Sequence, residues 1–397
     1  MDPARHFQVL IVGGGSGGLS VASRLSKKLR HNQVGVIEPS DKHYYQPLWT
    51  LVGGGAVNIN STVRSEAAVM PRGAEWIRDA VTEFDPEKNS VRTKAGRTYT
   101  YDFLVVAAGI SVDWDKVKGL AGNVGREGIC SNYSFEYAPT TWRTIQSFKG
   151  GDAIFTHPAT PIKCGGAPQK IMYLADDAFR QRGVRDKTNI HFYIGDPAIF
   201  KVEKYAKALL EVVARKGLQV HYRHNLTELH LDKHVAVFQD LARDREIVQH
   251  WDMIHVTPPM SPPPFIKSSP FANEAGWFNV DKNTLRHPKW HNVYALGDCS
   301  SLPTSKTGAA IRKQAPIVAA NLLAHIRGDQ PTALYDGYTS CPLVTGYGKL
   351  ILAEFDYDLK PKETFPFDQS KERKSMYLLK KHVLPVLYWK GMLKGRA

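Results

Sequence analysis

Two cysteines and one run of glycines are the residues best placed to do chemistry. Cys164 stands in Pro161-Ile162-Lys163-Cys164-Gly165-Gly166, between a Pro-rich turn and an expected helix. Lys163 beside the thiol and a helix N-terminus just after it both favour the thiolate. The two glycines allow another group to approach closely. Cys341 precedes Pro342, which holds it extended and predicts a thiol on a loop. The chemistry in question is that of a thiolate nucleophile. The other reading is a pair of inert buried thiols, the commonest state of a free cysteine, and the motifs alone do not choose between them.

The glycines form a second constellation. Phe7 to Val12 is an apolar run, followed at once by Gly13-Gly14-Gly15-Ser16-Gly17-Gly18 and then by a helix-like stretch, Leu19 to Leu29. Glu38 ends the next apolar run, Gln33 to Glu38, 20 residues past Gly18. This is the dinucleotide fingerprint. Gly13 permits the tight turn, Gly15 lets backbone approach a pyrophosphate, Gly18 lets helix and strand pack, and Glu38 accepts from ribose hydroxyls. The pyrophosphate sits on a helix N-terminus, where free N–H groups favour negative charge. Two later strands, Tyr101 to Ile110 with Ala107-Ala108-Gly109 at its end and His291 to Asp298 ending in Gly-Asp, fit the pattern of flavoproteins with two dinucleotide folds. In that pattern Asp298 reaches the flavin's ribityl chain, and FAD is favoured; alone, Asp298 reads equally as a helix N-cap.

The elements that position these groups divide the 397 residues. Residues 1–112 alternate strand and helix patterns as an α/β domain does. Residues 113–285 contain strands at Asp152 to Phe155, Asn189 to Ile194 and Gln219 to Tyr222, and helices at Ala167 to Arg182 and Val202 to Lys216. Residues 286–330 return to the first domain, and 331–397 form a C-terminal unit. The expected fold is α/β, two Rossmann-like domains plus a membrane-associating C-terminal segment. Thr257 to Pro264 is a proline loop. In the second unit, Asn189 to Phe200 contains one glycine, Gly195, with Pro197 behind it, and nothing there cradles a pyrophosphate. The second domain is therefore expected not to bind NAD(P)H.

Net charge is +14, with basic residues spread along the chain and denser near its end. No aromatic-basic nucleic-acid motif occurs, so nucleic acid is not an expected partner. The charge suits an anionic membrane surface or anionic small molecules; a basic proteome background such as the mitochondrial matrix explains it equally. No apolar run reaches the roughly 20 residues of a spanning helix, and Met1 to Phe7 does not read as a leader, which a precursor could have lost. Four scattered cysteines build no disulfide scaffold, and no metal-site spacing is present, so no metal is expected.

Taken together, GGGSGG, Val36 to Gly55 (VIEPSDKHYYQPLWTLVGGG), Pro161 to Leu174, Val256 to Pro263 (VTPPMSPP), Gly297 to Thr307 (GDCSSLPTSKT), Tyr335 to Tyr347 (YDGYTSCPLVTGY) and Ile351 to Arg373 closely resemble the mitochondrial-type sulfide:quinone oxidoreductases, essentially end to end. That resemblance implies a flavoprotein without a nicotinamide site. It implies that Cys164 and Cys341 are the redox pair. Hydrogen sulfide attacks their bridge, Cys341 keeps the persulfide, and Cys164 faces the flavin. Electrons go to ubiquinone, and glutathione, sulfite or coenzyme A removes the sulfur. It implies FAD contacts from Ser16, Gly17, Glu38, Gln46, Val81, Asp298 and Lys306, with the solvated surface lysine as the alternative for Lys306. It also implies a peripheral seat on the mitochondrial inner membrane, with a bacterial membrane as the alternative. Cys130 stands where bacterial relatives carry a third cysteine, and a structural role is the first reading. Cys299 is expected to be buried and inert.

From Lys374 onward, lysines alternate with Met376, Leu379, Val383, Leu387 and Met392, and Tyr388-Trp389 suits a lipid interface. A basic amphipathic helix interrupted near Pro385 fits lying on a membrane; the alternative is a helix docked on the protein's own core. Relatives continue past the position of Ala397 with another amphipathic stretch, which implies a truncated chain or a weaker hold. Three other functions compete. A type II NADH:quinone dehydrogenase needs the second fingerprint, and a flavocytochrome c-type sulfide dehydrogenase needs a haem partner. A non-catalytic flavin sensor would not need both cysteine motifs.

Overall fold

The computed structural model describes residues 5–397. Strand β1 (Arg5–Val12) is buried along its second half because it runs through the centre of a parallel sheet, where both faces are covered. Helix α1 (Ser16–Leu25) starts inside the glycine run, earlier than the apolar pattern predicts, and packs its leucine and valine side chains on that sheet. Strands β2 (Val34–Ile37), β3 (Ala74–Ile77), β4 (Val81–Asp85), β5 (Ser90–Thr93) and β6 (Thr98–Val106) complete the order β3-β2-β1-β6-β5-β4. The pairs β3-β2-β1-β6 are parallel, and β4 and β5 are antiparallel additions. A short helix α2 (Trp49–Gly53) lies between β2 and β3 in the chain.

A second, five-stranded parallel sheet follows. Its strands are β7 (Ile129–Cys130), β8 (Gly151–His157), β9 (Thr188–Ile194), β10 (Gln219–Tyr222) and β11 (Met253–His255), in the order β7-β11-β8-β9-β10. Helix α3 (Ala167–Gln181) connects β8 to β9, and α4 (Glu203–Lys216) connects β9 to β10. Gly217 closes α4 at φ 63°, the left-handed conformation a helix C-terminus favours. Between β10 and β11 the chain makes a three-stranded antiparallel sheet, His224–His230, Val235–Asp240 and Arg245–His250.

The chain then re-enters the first sheet. Strand β12 (Val293–Ala295) pairs in parallel with the end of β6, Val293 opposite Leu104. Helix α5 (Gly308–Ile326), capped by Thr307 Oγ1 on Ala310 N–H, packs against α1. An antiparallel hairpin, β13 (Thr339–Gly346) and β14 (Lys349–Phe355), pairs Cys341 with Ala353 and lays its buried face on α3. The final segment is helical from Lys374 to Lys394 but not regular. Pro385 has no N–H to donate, and the turns on either side, Leu379–Val383 and Leu387–Gly391, widen to i→i+5 bonding. Among the described residues, no helix is long and apolar enough to cross a membrane.

Candidate active site

The glycine turn has the shape the fingerprint requires. Gly13 adopts φ 101°, and a Cβ there would lie 2.5 Å from the Ala107 carbonyl oxygen. A Cβ on Gly18 would lie 1.8 Å from the Gly13 carbonyl oxygen, so only glycine lets α1 leave β1 this sharply. Nothing approaches the Cβ positions of Gly15 and Gly109 within 4 Å. Glu38 accepts from the N–H groups of Gly14 (2.7 Å) and Ser40 (2.8 Å); burial pushes its carboxyl up, against the pull of those two bonds.

Gly15, Ser16 and Gly17 open onto a cavity of about 460 Å³. Gln46, Gly109, Asp298 and Lys306 line it as well; Gly13, Gly18 and Glu38 stand behind its wall, and Val81 begins β4 away from it. Asp298 is not a helix cap: the short turn Gly297–Cys299 carries it at the end of β12, and Thr307 caps α5. Burial pushes the Asp298 carboxyl up, and Lys306 and Lys163 pull it back. Lys306 is no solvated surface lysine. Its Nζ donates to the carbonyl oxygens of Asp298 (2.6 Å) and Ser300 (3.2 Å) and stands 3.8 Å above the Trp277 ring. Three residues of the cavity's lining carry buried polar atoms without a protein partner: both amide atoms of Asn132, the Tyr133 hydroxyl and His255 Nδ1. Such atoms cost free energy unless a ligand or water meets them. A glycine cradle joined to such a cavity has the make-up a flavin site needs, and Ser16, Gly17, Asp298 and Lys306 are the residues that would hold the group.

The two cysteines meet. The loop before α3 brings Cys164 to the cavity, and β13 brings Cys341 beside it, within hydrogen-bonding reach. Cys164 adopts φ 56°, unusual for a residue with a side chain. Two backbone bonds hold it there, Cys164 N–H to Lys306 O at 2.8 Å and Ala167 N–H to Cys164 O at 2.7 Å. The hydrogen bond from Cys341 and the Lys170 ammonium, 3.1 Å from Cys164 Sγ, hold the Cys164 thiol well below its ordinary range. Cys341 is pushed well up by that same pairing and by burial. Of the two thiols, Cys164 is therefore the one that ionises first. Two expectations are corrected here. The lysine serving Cys164 is Lys170, in the first turn of α3, because the backbone at Cys164 turns Lys163 toward Asp298 and the Trp49 ring. Cys341 lies on no loop: Pro342 extends it into a paired strand, and its side chain is fully buried.

Known proteins resemble this chain over nearly its whole length. Residues 7–138 match the family model described as pyridine nucleotide-disulphide oxidoreductase. The chain is 49% identical over 391 residues to the mitochondrial sulfide:quinone oxidoreductase of Mus musculus, covering 98% of this chain and 87% of that protein. It is 50% identical over 392 residues to the one of Dictyostelium discoideum, covering 98% and 86%. The chain belongs to the sulfide:quinone oxidoreductase family. The solved sulfide:quinone oxidoreductase of the hyperthermophilic bacterium Aquifex aeolicus superposes with a TM-score of 0.83 at 20% identity, over 99% of this chain and 93% of that one, and so shares its fold.

In this sulfide:quinone oxidoreductase family member the position where a second-domain phosphate cradle would stand lies elsewhere than the sequence reading put it. The second sheet's first strand–turn–helix is β8, residues 158–166 and α3, not β9 and the loop after it. Residues 158–166 carry Cys164 where a phosphate-binding turn would stand, and they contain no G-x-G-x-x-G. They also pack onto Gly195, where a Cβ would lie 2.5 Å from Ala159 N. Of the remaining cysteines, Cys130 and Cys299 are fully buried, and burial pushes their thiols up to about 12 and about 11. Both are inert at neutral pH.

The C-terminal segment of this family member docks on the protein's own body. Met376, Tyr388, Met392 and Leu393 are buried, so Tyr388 is not the lipid-interface anchor expected of it. Lys380 is 4% exposed; it donates to Pro47 O at 3.0 Å and faces Lys170 and both cysteines, and burial pushes it down to about 7. Leu378, Val383 and Val386 stay exposed on the outer face. Sequence reasoning missed Lys170, Lys380, Asn132, Tyr133 and His255. Lys170 stands inside the cysteine motif and was within reach of it; nothing local to Lys380 marks it, since only the fold carries it to the cysteines.

Proposed function

We propose that this protein oxidises hydrogen sulfide and reduces a membrane quinone, with FAD as its cofactor and Cys164 and Cys341 as its redox pair. The observation that carries this reading is the coupled cysteine pair, one thiolate of which opens on the dinucleotide cavity beside Lys170. The domain division that goes with it takes 1–112 and 286–330 as the flavin domain, 113–285 as a second fold without a nicotinamide site, and 331–397 as the cysteine-strand and membrane-facing unit.

In the oxidised pair, hydrosulfide attacks the Cys341 sulfur. The Cys341–Cys164 bond breaks, Cys341 keeps the new sulfur as a persulfide, and Cys164 leaves as a thiolate. A low thiol pKa makes it the better leaving group, and Lys170 is the charge that holds it. A small thiol or sulfite then takes the outer sulfur from Cys341, and the bridge reforms as two electrons leave the pair. FAD supplies the two-electron acceptor that links sulfur to quinone. Lys170 and Lys380 put positive charge where hydrosulfide and an anionic acceptor must come. Since Cys341 has no face on the cavity, the acceptor reaches it only when the contacts around β13 open.

The quinone belongs at the cavity's apolar end, against Pro342, Leu352, Phe365, Leu384 and Leu387. Leu387 and Leu384 come from the C-terminal segment, so the quinone site and the outer apolar face share one element. We place that face on the mitochondrial inner membrane as a peripheral seat, with Leu378 and Val386 in the lipid and Lys374 and Lys390 at anionic headgroups. The test is sulfide-dependent quinone reduction with and without anionic vesicles. The wild type is expected to reduce both short soluble and long-chain quinones in the presence of sulfide. The double variant Leu378→Ser/Val386→Ser is expected to lose vesicle binding and most turnover of the long-chain quinone, while the short one is reduced as before. Equal loss on both quinones, or undiminished vesicle binding, contradicts the membrane seat.

A further inference from the structure

The C-terminal segment reaches a second place that its membrane role does not explain. Tyr388, 2% exposed, puts its hydroxyl 2.7 Å from Ser16 Oγ in the glycine turn and 2.5 Å from His43 Nε2. His43 Nδ1 lies 3.1 Å from the Gly14 carbonyl oxygen and 3.2 Å from Glu66 Oε2. A carbonyl only accepts, so Nδ1 carries the proton and Nε2 accepts from Tyr388. The Tyr388 oxygen in turn accepts from Ser16. The line of donors Ser16, Tyr388, His43 thus ends on Gly14 and Glu66. Beyond Ser16, which is half-buried at the cavity, the line is buried, with His43 3% and Glu66 1% exposed, and Glu38 holds the Gly14 N–H of the same turn.

A few residues on, the same segment is fastened to α1. Ser23 Oγ donates to Leu393 O at 2.5 Å, and Lys27 Nζ donates to Lys394 O at 2.6 Å. Tyr45, next to Gln46, packs against Tyr388 with the rings tilted by 37° and their centroids 4.5 Å apart. Ser16 and Gly17 face the cavity from this turn. Because its hydroxyl proton is committed to Tyr388, Ser16 meets a phosphate through its backbone N–H, and Tyr388 fixes the direction of that N–H.

We propose that Tyr388 is a positioning residue that latches the C-terminal segment onto the turn holding the flavin's pyrophosphate, so that flavin retention and seating of the segment are one coupled equilibrium. This rests on the flavin reading above. Coupling of this kind is reciprocal: the latch slows flavin loss, and bound flavin protects the latch.

The test uses the flavin-loaded full-length protein and reads flavin release by fluorescence, with hydrogen exchange of residues 374–397 measured alongside. Tyr388→Phe keeps the ring and its packing against Tyr45 and removes only the hydroxyl. It is expected to release flavin roughly tenfold faster, the scale of losing buried hydrogen bonds. Ser16→Ala is expected to do the same, and the double variant to be no faster than either alone, because one network is broken in each case. In the wild type, removing flavin should speed exchange of the segment; in Tyr388→Phe it should change little. Wild-type release from Tyr388→Phe, or exchange in the wild-type segment that ignores flavin, overturns the latch. A protein that carries no flavin at all defeats the cofactor assignment instead, which separates the two failures.

Discussion

Cys164→Ser is expected to keep its flavin and lose its reduction by sulfide, by at least roughly a thousandfold, the scale of removing a nucleophile that works as part of a unit. The serine fills the same space and keeps both backbone bonds, to Lys306 O and from Ala167 N–H, so the turn at φ 56° has no reason to collapse. What it cannot do is form a sulfur bridge with Cys341 or leave as a thiolate stabilised by Lys170. Stopped-flow absorbance of the anaerobic flavin checks this directly. Flavin content and melting temperature measured on the same sample show whether the loss is chemical. Near-normal bleaching would remove Cys164 from the mechanism.

Lys170→Met is expected to slow sulfide-driven turnover ten- to hundredfold at neutral pH and to change its pH profile. The sign follows from the direction of the shift. The hydrogen bond from Cys341 and the Lys170 charge depress the Cys164 thiol, while burial opposes them. The thiolate is therefore present above the depressed pKa and lost as pH falls through it. Without Lys170 two of the lowering causes are gone and only the Cys341 hydrogen bond and the Lys380 charge still oppose burial, so the pKa moves up and a smaller share of the thiol is ionised at neutral pH. Alkylation of the reduced protein by iodoacetamide, followed from mildly acid to alkaline pH, gives the same quantity without turnover: the profile of the variant lies at higher pH than that of the wild type. Lys380, held down to about 7, keeps its charge in the lower part of this range and loses it above, so it does not replace Lys170 in alkaline solution. An unchanged alkylation profile would mean that Cys341 alone holds the thiolate.

The flavin half of the fold was legible because its signals are local. The turn Gly13 to Gly18, the strand before it and Glu38 lie within one strand–helix–strand unit, and β6 and β12 announce their ends with Gly109 and Gly297-Asp298. The cysteine motifs were legible as motifs, and their resemblance to a known family named them as a pair. What local sequence does not hold is where a side chain turns. Lys163 is the neighbour of Cys164 in the chain, but a left-handed backbone at Cys164 sends Lys163 to Asp298 and leaves the thiol to Lys170. Pro342 announces extension but not whether the extended residue pairs; β14 decides that, and it buries Cys341. The C-terminal segment carries two stripes, and composition saw only the one that suits lipid. The inward stripe of Met376, Lys380, Tyr388 and Leu393 depends on partners in β1–α1 and α3 that no periodicity contains.

The central claim is that sulfide, and no nicotinamide, feeds electrons through the cysteine pair to the flavin and on to quinone. An anaerobic titration of the purified yellow protein tests it most directly. One equivalent of sulfide per flavin, with a thiol acceptor present, should bleach the absorbance, one equivalent of quinone should restore it, and NADH should leave it unchanged. Bleaching by NADH on the same timescale, or a flavin that sulfide does not reduce, would contradict the account.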